Sequence, residues 1–111
     1  MMQPFKTIEV DLAKLQNYCL ADTHPRGRHK ARVFRSRLGL TAQSAEVLQQ
    51  ALLDAAQHGP QDLRPTGNDR YGRRYALDFE MSTPAGTAVV RSSWIIPVGQ
   101  GVLRFVTCYI L

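Results

Sequence analysis

Two histidines and a dense set of basic residues make residues 24–35 the part of this chain best suited to chemistry. The stretch holds two of the three histidines and five of the fourteen Lys and Arg residues. An unperturbed imidazole changes its charge between about pH 5 and pH 8, so it can act as a general base or acid. Guanidinium and ammonium groups bind phosphate oxygens. The combination predicts a phosphate-binding surface beside an imidazole, and a solvent-exposed basic helix is the alternative interpretation.

The same stretch indicates how these groups are positioned. Pro25 and Gly27 predict a loop, and a helix follows over residues 28–38. The apolar residues at helical spacing predict a buried stripe of Ala31, Phe34 and Leu38. The stripe beside it consists of Arg28, Arg32 and Arg35. His29 flanks the arginine stripe, and His24 precedes the helix start, where unpaired backbone N–H groups favour an anion.

Capping residues predict the other helices. Asp11 is a good N-cap for a first helix that ends near Leu20. Gly39 ends the second helix in the position that favours glycine. Thr41 caps a third helix, whose predicted buried face is Leu48, Ala51, Leu52 and Ala55.

Beyond a polar connector at residues 61–69, the apolar period changes from about 3.6 to 2 residues. This change predicts three strands, over residues 70–82, 87–97 and 102–110. Helices followed by a strand meander indicate an α+β fold. We expect a single domain over residues 1–111, with about three N-terminal helices packed on a C-terminal antiparallel sheet of three to four strands.

The alternation along the strands predicts which side chains lie on the sheet face that the helices leave open. The core face is expected to carry Tyr75, Leu77, Phe79, Trp94, Val102, Val106, Cys108 and Ile110. The opposite face is expected to carry Leu103, Phe105 and a polar cluster of Arg74, Arg91, Ser93, Thr107 and Tyr109. Arg91 is the most informative of these, because a charge within a central strand needs a carboxylate partner or a ligand. Asp78 is the candidate carboxylate.

Charge and cysteine content bound the function classes. A formal net charge of +5 and a pI near 9.7 favour a polyanionic partner. Eleven of the fourteen basic residues are Arg, which suits bidentate phosphate recognition, although a GC-rich coding bias also raises the Arg content. Cys19 and Cys108 lie far apart in sequence, so neither a disulfide framework nor a zinc site is expected. We expect a cytoplasmic protein without signal peptide, membrane span, metal or cofactor.

Four segments of the sequence carry a resemblance that covers nearly the whole chain. They are residues 24–34 (His-Pro-Arg-Gly-Arg-His-Lys-Ala-Arg-Val-Phe) with Leu38-Gly39, residues 69–75 (Asp-Arg-Tyr-Gly-Arg-Arg-Tyr), residues 90–95 (Val-Arg-Ser-Ser-Trp-Ile) and residues 103–109 (Leu-Arg-Phe-Val-Thr-Cys-Tyr). Together they resemble a family of small bacterial domains that carries a "domain of unknown function" label. The resemblance implies kinship and assigns no activity.

More distantly, the order of helices and strands resembles the barnase/EndoU/colicin-tRNase/RelE group of metal-independent ribonuclease toxins. Toxin modules of that group are similar in having a His-x-x-Gly-like loop before a Lys-bearing helix, as in His24 to Lys30. They also place a Ser or Thr, often with an aromatic residue, on a late strand, as Thr107 and Tyr109 are placed here. No single residue of this chain is unambiguously the general base, so His24 and His29 both remain candidates.

Two hypotheses about function follow. The first is a toxin-like endoribonuclease with the catalytic residues His24, His29, Lys30, Arg91, Thr107 and Tyr109. Its nucleic-acid contacts are Arg26, Arg28, Arg32, Arg35 and Arg74, and its partners are RNA and a small acidic antitoxin or immunity protein. We expect His29→Ala and Arg91→Ala to abolish RNA cleavage and leave the fold intact. The second hypothesis is a non-catalytic module of a toxin–antitoxin or phage-related operon that binds RNA or protein.

Overall fold

The predicted α+β class is confirmed. The computed structural model describes residues 4–21 and 28–111, Arg28 through its backbone only. The helices are α1 (Leu12–Lys14), continued by a π-helix (Leu15–Cys19), α2 (Arg28–Leu38) and α3 (Ala45–His58), with 3-10 turns at Ala42–Ser44 and Pro60–Asp62. The strands are β1 (Thr7–Glu9), β2 (Arg64–Asp69), β3 (Gly72–Thr83), β4 (Gly86–Pro97) and β5 (Val102–Ile110).

The first helix begins as predicted but is only briefly α-helical. Asp11 Oδ1 accepts a hydrogen bond from the backbone N–H of Ala13 at 2.9 Å, which makes Asp11 the N-cap. From Leu15 to Cys19 the chain forms a π-helix, and both of these end residues are buried. Short π-helical segments are frequent at functional sites, and this one ends beside the cleft described below.

The other two helices form where the apolar spacing predicts them. The stripe of α2 formed by Ala31, Phe34 and Leu38 is buried, and Gly39 follows it with φ 68°. A capping box of Thr41 and Ser44 precedes α3. The buried residues of α3 are Ala45, Leu48, Leu52 and Ala56, so its buried face is rotated from the predicted one. Within residues 4–21 and 28–111, no helix is long and apolar enough to cross a membrane.

The sheet has five strands, in the order β1-β5-β4-β3-β2, where the sequence predicts three to four. β2 occupies most of the predicted polar connector and pairs antiparallel with β3. All six of its residues are exposed, so it has no apolar alternation that would reveal a strand. β1 pairs parallel with β5 over three residues, Thr7–Glu9 against Val102–Arg104.

A β-bulge in β5 separates the strand into two halves. Ser93 of β4 pairs with Thr107, whereas the next residue, Trp94, pairs with Phe105. Val106 is therefore the extra residue on β5, and the alternation of side chains restarts on its other side.

The bulge makes part of the predicted core face wrong. Leu103 and Phe105 are 0% and 1% exposed, although the alternation predicts them on the open face. Val102 and Val106, which it predicts in the core, are only half-buried. The prediction is right beyond the bulge, where Cys108 is buried. There Thr107 and Tyr109 share the open face with Ser93 and Arg91, their register partners.

A buried hydroxyl organises the centre of the core. Ser92 of β4 is fully buried and donates a hydrogen bond to the carbonyl of Leu77 at 2.7 Å. Its Oγ accepts a hydrogen bond from Trp94 Nε1 at 2.8 Å. The indole packs edge-to-face on Phe105, with ring centroids 5.6 Å apart. Ser92 thus fixes the largest side chain of the core in one orientation.

Replacing Ser92 by Ala leaves the indole N–H of Trp94 buried without an acceptor. We expect this to lower the free energy of unfolding by about 1–3 kcal/mol, measured by urea denaturation. Ser36→Ala is the matched control: the same change on the exposed side of α2 should shift stability by less than about 0.5 kcal/mol. Equal effects of the two substitutions would contradict the role given to Ser92.

Candidate functional site

A cleft of about 450 Å³ lies between β5 and the first two helices. β1 pairs with β5 only as far as Arg104, so the following residues of β5 face helices instead of a strand. Lys14 Nζ donates a hydrogen bond to the carbonyl of Phe105 at 3.2 Å and thereby satisfies a backbone acceptor beside the bulge. This cleft, called the β5 cleft below, is lined by Lys14, Tyr18, Cys19, Lys30, Val106 and Thr107.

The basic helix meets the last strand at this cleft. Lys30 Nζ lies 5.1 Å from the ring centroid of Tyr109, a cation–π contact. Tyr109 pairs with Arg91, and Thr107 with Ser93, so these four side chains lie on one face of β4 and β5. The structure thus brings together four residues that the sequence predicts as a site: Lys30, Arg91, Thr107 and Tyr109.

Arg91 is held in place by a carboxylate, as the sequence predicts. Its Nε and Nη2 donate to the two oxygens of Asp78, each at 2.8 Å, in a bidentate pair. Arg64 also donates to Asp78, at 3.2 Å. The hydrogen bond from Arg91 lowers the pKa of Asp78 below its ordinary value. Asp78, followed by a hydrogen bond to Tyr109, raises the pKa of Arg91, so the guanidinium is permanently charged and points toward Tyr109.

Two thiols lie against each other beneath the cleft. Cys19 ends the π-helix, Cys108 lies on β5, and each is 1% exposed. Hydrogen bonding by the Cys108 thiol, together with the Cys108 backbone, the Thr107 hydroxyl and the charge of Lys30, lowers the pKa of Cys19 to about 6. The pKa of Cys108 is raised, because its thiol donates to Cys19 and is buried. The pair therefore keeps one proton on Cys108 while Cys19 ionises.

Of the other predicted site residues, those that the structure describes do not line the β5 cleft. His24 and Arg26 lie outside the described residues, as does the side chain of Arg28. His29 is exposed and, at about 100° per residue, lies on the side of α2 opposite its buried stripe. Arg74 pairs with Asp69 at 2.8 Å, about 13 Å along β3 from Asp78.

The described side chains of the predicted arginine stripe lie away from the β5 cleft. Arg32 is exposed, and Arg35 lines a second cleft of about 530 Å³ on the flank of α2 away from Lys30. Gln16, Asn17 and Gln43 also line that cleft. Arg35 and the strand cluster therefore belong to two different surfaces of the molecule.

Sequence reasoning missed the part of the site contributed by the first helix. Lys14 at the end of α1 lines the cleft, as do Tyr18 and Cys19 of the π-helix. Nothing in the apolar spacing distinguishes a π-helix from an α-helix over five residues. The contact between Cys19 and Cys108 joins residues that are distant in sequence, and it depends on the register of β5 beyond the bulge.

The comparison with known proteins identifies the family. Residues 2–111 match the sequence profile of a family described as a domain of unknown function. The chain belongs to the DUF6883 family. This supports the resemblance to an uncharacterised domain, while the individual motifs stay a prediction. No curated protein matches this DUF6883 domain in sequence.

A solved structure shares the fold of this DUF6883 domain. It is a chain of the contact-dependent growth inhibition toxin–immunity protein complex from Klebsiella pneumoniae 342, with a TM-score of 0.71 and 19% sequence identity. The similarity covers 92% of this chain and 98% of that chain. At this identity the likeness establishes a common fold.

The lowered pKa of Cys19 predicts a pH-dependent stability. Between about pH 6 and the ordinary thiol value of 9.0, the unfolded chain holds a proton on Cys19 that the folded chain has released. Stability from this group therefore increases with pH across that window and is lost as the pH falls toward 6. We expect the difference in unfolding free energy between wild type and Cys19→Ser, from urea denaturation at several pH values, to grow with pH. A difference that is constant from pH 6 to pH 9 would contradict the assignment.

Proposed function

We propose that this DUF6883 domain is a toxin-like, metal-independent endoribonuclease that cleaves RNA by attack of the 2′-OH on the adjacent phosphate. The observation that carries the proposal is the contact of Lys30, from the predicted phosphate-binding helix, with Tyr109 of the last strand at 5.1 Å. Arg91 and Thr107 lie on the same face as Tyr109. The net charge of +5 is also suited to a polyanionic substrate.

Cleavage without a metal needs three kinds of group around one phosphate. Cations must stabilise the charge of the pentacoordinate phosphorane, and Lys30 and Arg91 are assigned this role. A base must take the proton of the 2′-OH, and an acid must protonate the leaving 5′-oxygen. Thr107 and Tyr109 position the phosphate, and the Tyr109 ring can stack on a base.

The identity of the imidazole that transfers protons is open between two residues. His24 lies outside the described residues, in the segment that joins the π-helix to α2. His29 is exposed on α2. In the sequence, His24 lies between Cys19 and Lys30, and both of these residues line the β5 cleft. The two histidine variants are therefore compared directly in the cleavage experiment.

The proposed partner is a small acidic immunity protein. The solved structure with this fold is a chain of a complex between a growth inhibition toxin and its immunity protein. An acidic protein that covers the basic surface of this domain would exclude RNA by occupying the same charges. The matching chain is one half of that complex, the toxin or the immunity protein, so the alternative function is a non-catalytic module that binds RNA or protein.

The assay for the proposed activity is incubation of the purified domain with total RNA, with and without EDTA. We expect cleavage that survives EDTA and leaves 2′,3′-cyclic phosphate ends. Lys30→Ala and Arg91→Ala should each lower the cleavage rate at least about 100-fold, because each removes a cation from the transition-state phosphate. His24→Ala and His29→Ala identify the acting imidazole.

Lys6→Ala is the matched control for Lys30→Ala, since it removes one exposed positive charge near β1, away from the β5 cleft. It should leave the cleavage rate within about twofold. Full activity in both Lys30→Ala and Arg91→Ala, with unchanged circular dichroism, would defeat the assignment of the site.

RNA binding without cleavage has its own expected signature. The affinity for a single-stranded RNA should fall with salt, with a slope of log K against log salt of about −0.7 for each phosphate contacted. Lys30→Ala should reduce that slope and Lys6→Ala should not, in fluorescence anisotropy titrations at several salt concentrations. Binding with this slope but without cleavage would favour the non-catalytic module, and an affinity independent of salt would exclude both functions.

A further inference from the structure

The two cysteines of the chain form a pair that the proposed ribonuclease chemistry does not use. Cys19 and Cys108 are separated by most of the chain, yet the π-helix that ends at Cys19 packs on β5, which carries Cys108. Both thiols are buried there, and each shifts the pKa of the other. The Thr107 hydroxyl is also close to Cys19, with 3.9 Å between Oγ1 and Sγ. Residues 1–111 contain no other cysteine, so both thiols of this domain are in the pair.

The two thiols are both buried, but they differ in their surroundings. Cys19 lines the β5 cleft, together with the ammonium groups of Lys14 and Lys30. Cys108 does not line it and lies on β5 opposite the buried Ser92. The positive charge at the cleft favours a thiolate on Cys19, which is the reactive form of the group. A buried structural cysteine usually has neither an opening nor cations beside it.

We propose that Cys19 and Cys108 are a redox-active dithiol, in which a peroxide that enters the β5 cleft oxidises Cys19 and Cys108 then closes a disulfide. In the first step the Cys19 thiolate attacks one peroxide oxygen, the O–O bond breaks, and the hydroxide released takes up a proton to leave as water. Cys19 is now a sulfenic acid.

The second step uses the thiol that lies behind Cys19. The sulfur of Cys108 attacks the sulfur of the sulfenic acid, the S–O bond breaks, and hydroxide leaves with the thiol proton as a second water. Two thiols are oxidised to one disulfide, and one peroxide is reduced to two waters. The packing of the π-helix on β5 places the sulfur of Cys108 beside Cys19 before the sulfenic acid forms.

The disulfide would change the protein at a defined place. It joins the end of the π-helix to β5, on either side of the β5 cleft. It also closes a covalent loop around most of the chain, which restricts the unfolded state and stabilises the fold. The oxidised protein should therefore melt at a temperature at least about 5 °C higher than the reduced protein.

The experiment treats the reduced wild-type domain with hydrogen peroxide at neutral pH and measures its intact mass under non-reducing conditions. We expect the loss of two hydrogen atoms, the disappearance of both free thiols, a higher melting temperature and full reversal by dithiothreitol. In Cys108→Ser, Cys19 should become a sulfenic acid that dimedone traps. It should react at least about 10-fold faster than Cys108 does in Cys19→Ser.

Several outcomes would overturn the proposal. If peroxide oxidises neither thiol of the folded wild type, and both react only after guanidinium unfolds the domain, then they are inert core residues. Disulfide-linked dimers as the main product, or equal rates of oxidation in the two variants, would also contradict it. The wild-type mass measurement needs no variant to fold. It also needs no RNA cleavage, so this proposal can fail or succeed independently of the ribonuclease assignment.

Discussion

The single extra residue in β5 is the constraint on which the arrangement of the site depends. Without the bulge at Val106, a regular strand would place Phe105 and Thr107 on the same face. With it, Phe105 packs against Trp94 in the core, and two residues later Thr107 turns to the open face beside Ser93. One strand thus supplies core residues along its whole length and also presents polar side chains at the cleft.

The short first strand and the basic helix also shape the site next to the bulge. β1 stops at Glu9, so the edge of β5 beyond Arg104 is left to the π-helix and α2. Lys14 bonds the carbonyl beside the bulge, and Lys30 reaches over Tyr109. The bidentate pair with Asp78 holds Arg91 on the neighbouring strand. Cations from three separate elements therefore surround one edge of the sheet.

The elements that carry strong apolar periodicity could be predicted from the sequence, and those without it could not. α2 lies at the predicted residues and β4 within one residue of them, since the apolar positions of α2 repeat at helical spacing and those of β4 alternate. β2 was not predicted, because an exposed edge strand has no buried face and therefore no alternation of apolar and polar residues. The Asp78 partner of Arg91 was predictable because a charge in a central strand must be compensated.

The predictions about the site that were wrong have other physical causes. A bulge inserts one extra residue and so interrupts the two-residue alternation of the strand. In β5, apolar residues occupy both even and odd positions around the bulge, so the hydrophobic pattern does not show where the bulge lies. The split of the basic residues between two flanks of α2 depends on which side of the helix faces β5. The packing of the whole core decides which side of α2 faces β5. As a result, Lys30 lines the β5 cleft and Arg35 lines the cleft on the other flank.

The most direct test of this account is chemical-shift mapping of the isotope-labelled domain with an RNA oligonucleotide whose 2′-OH groups are replaced by hydrogen, so that it binds without being cut. The account predicts the largest shift changes at Lys30, Thr107 and Tyr109, around the β5 cleft. Changes confined to Gln16, Arg35 and Gln43 at the other flank of α2 would show that the cleft beside β5 does not bind the substrate, and would contradict the central claim.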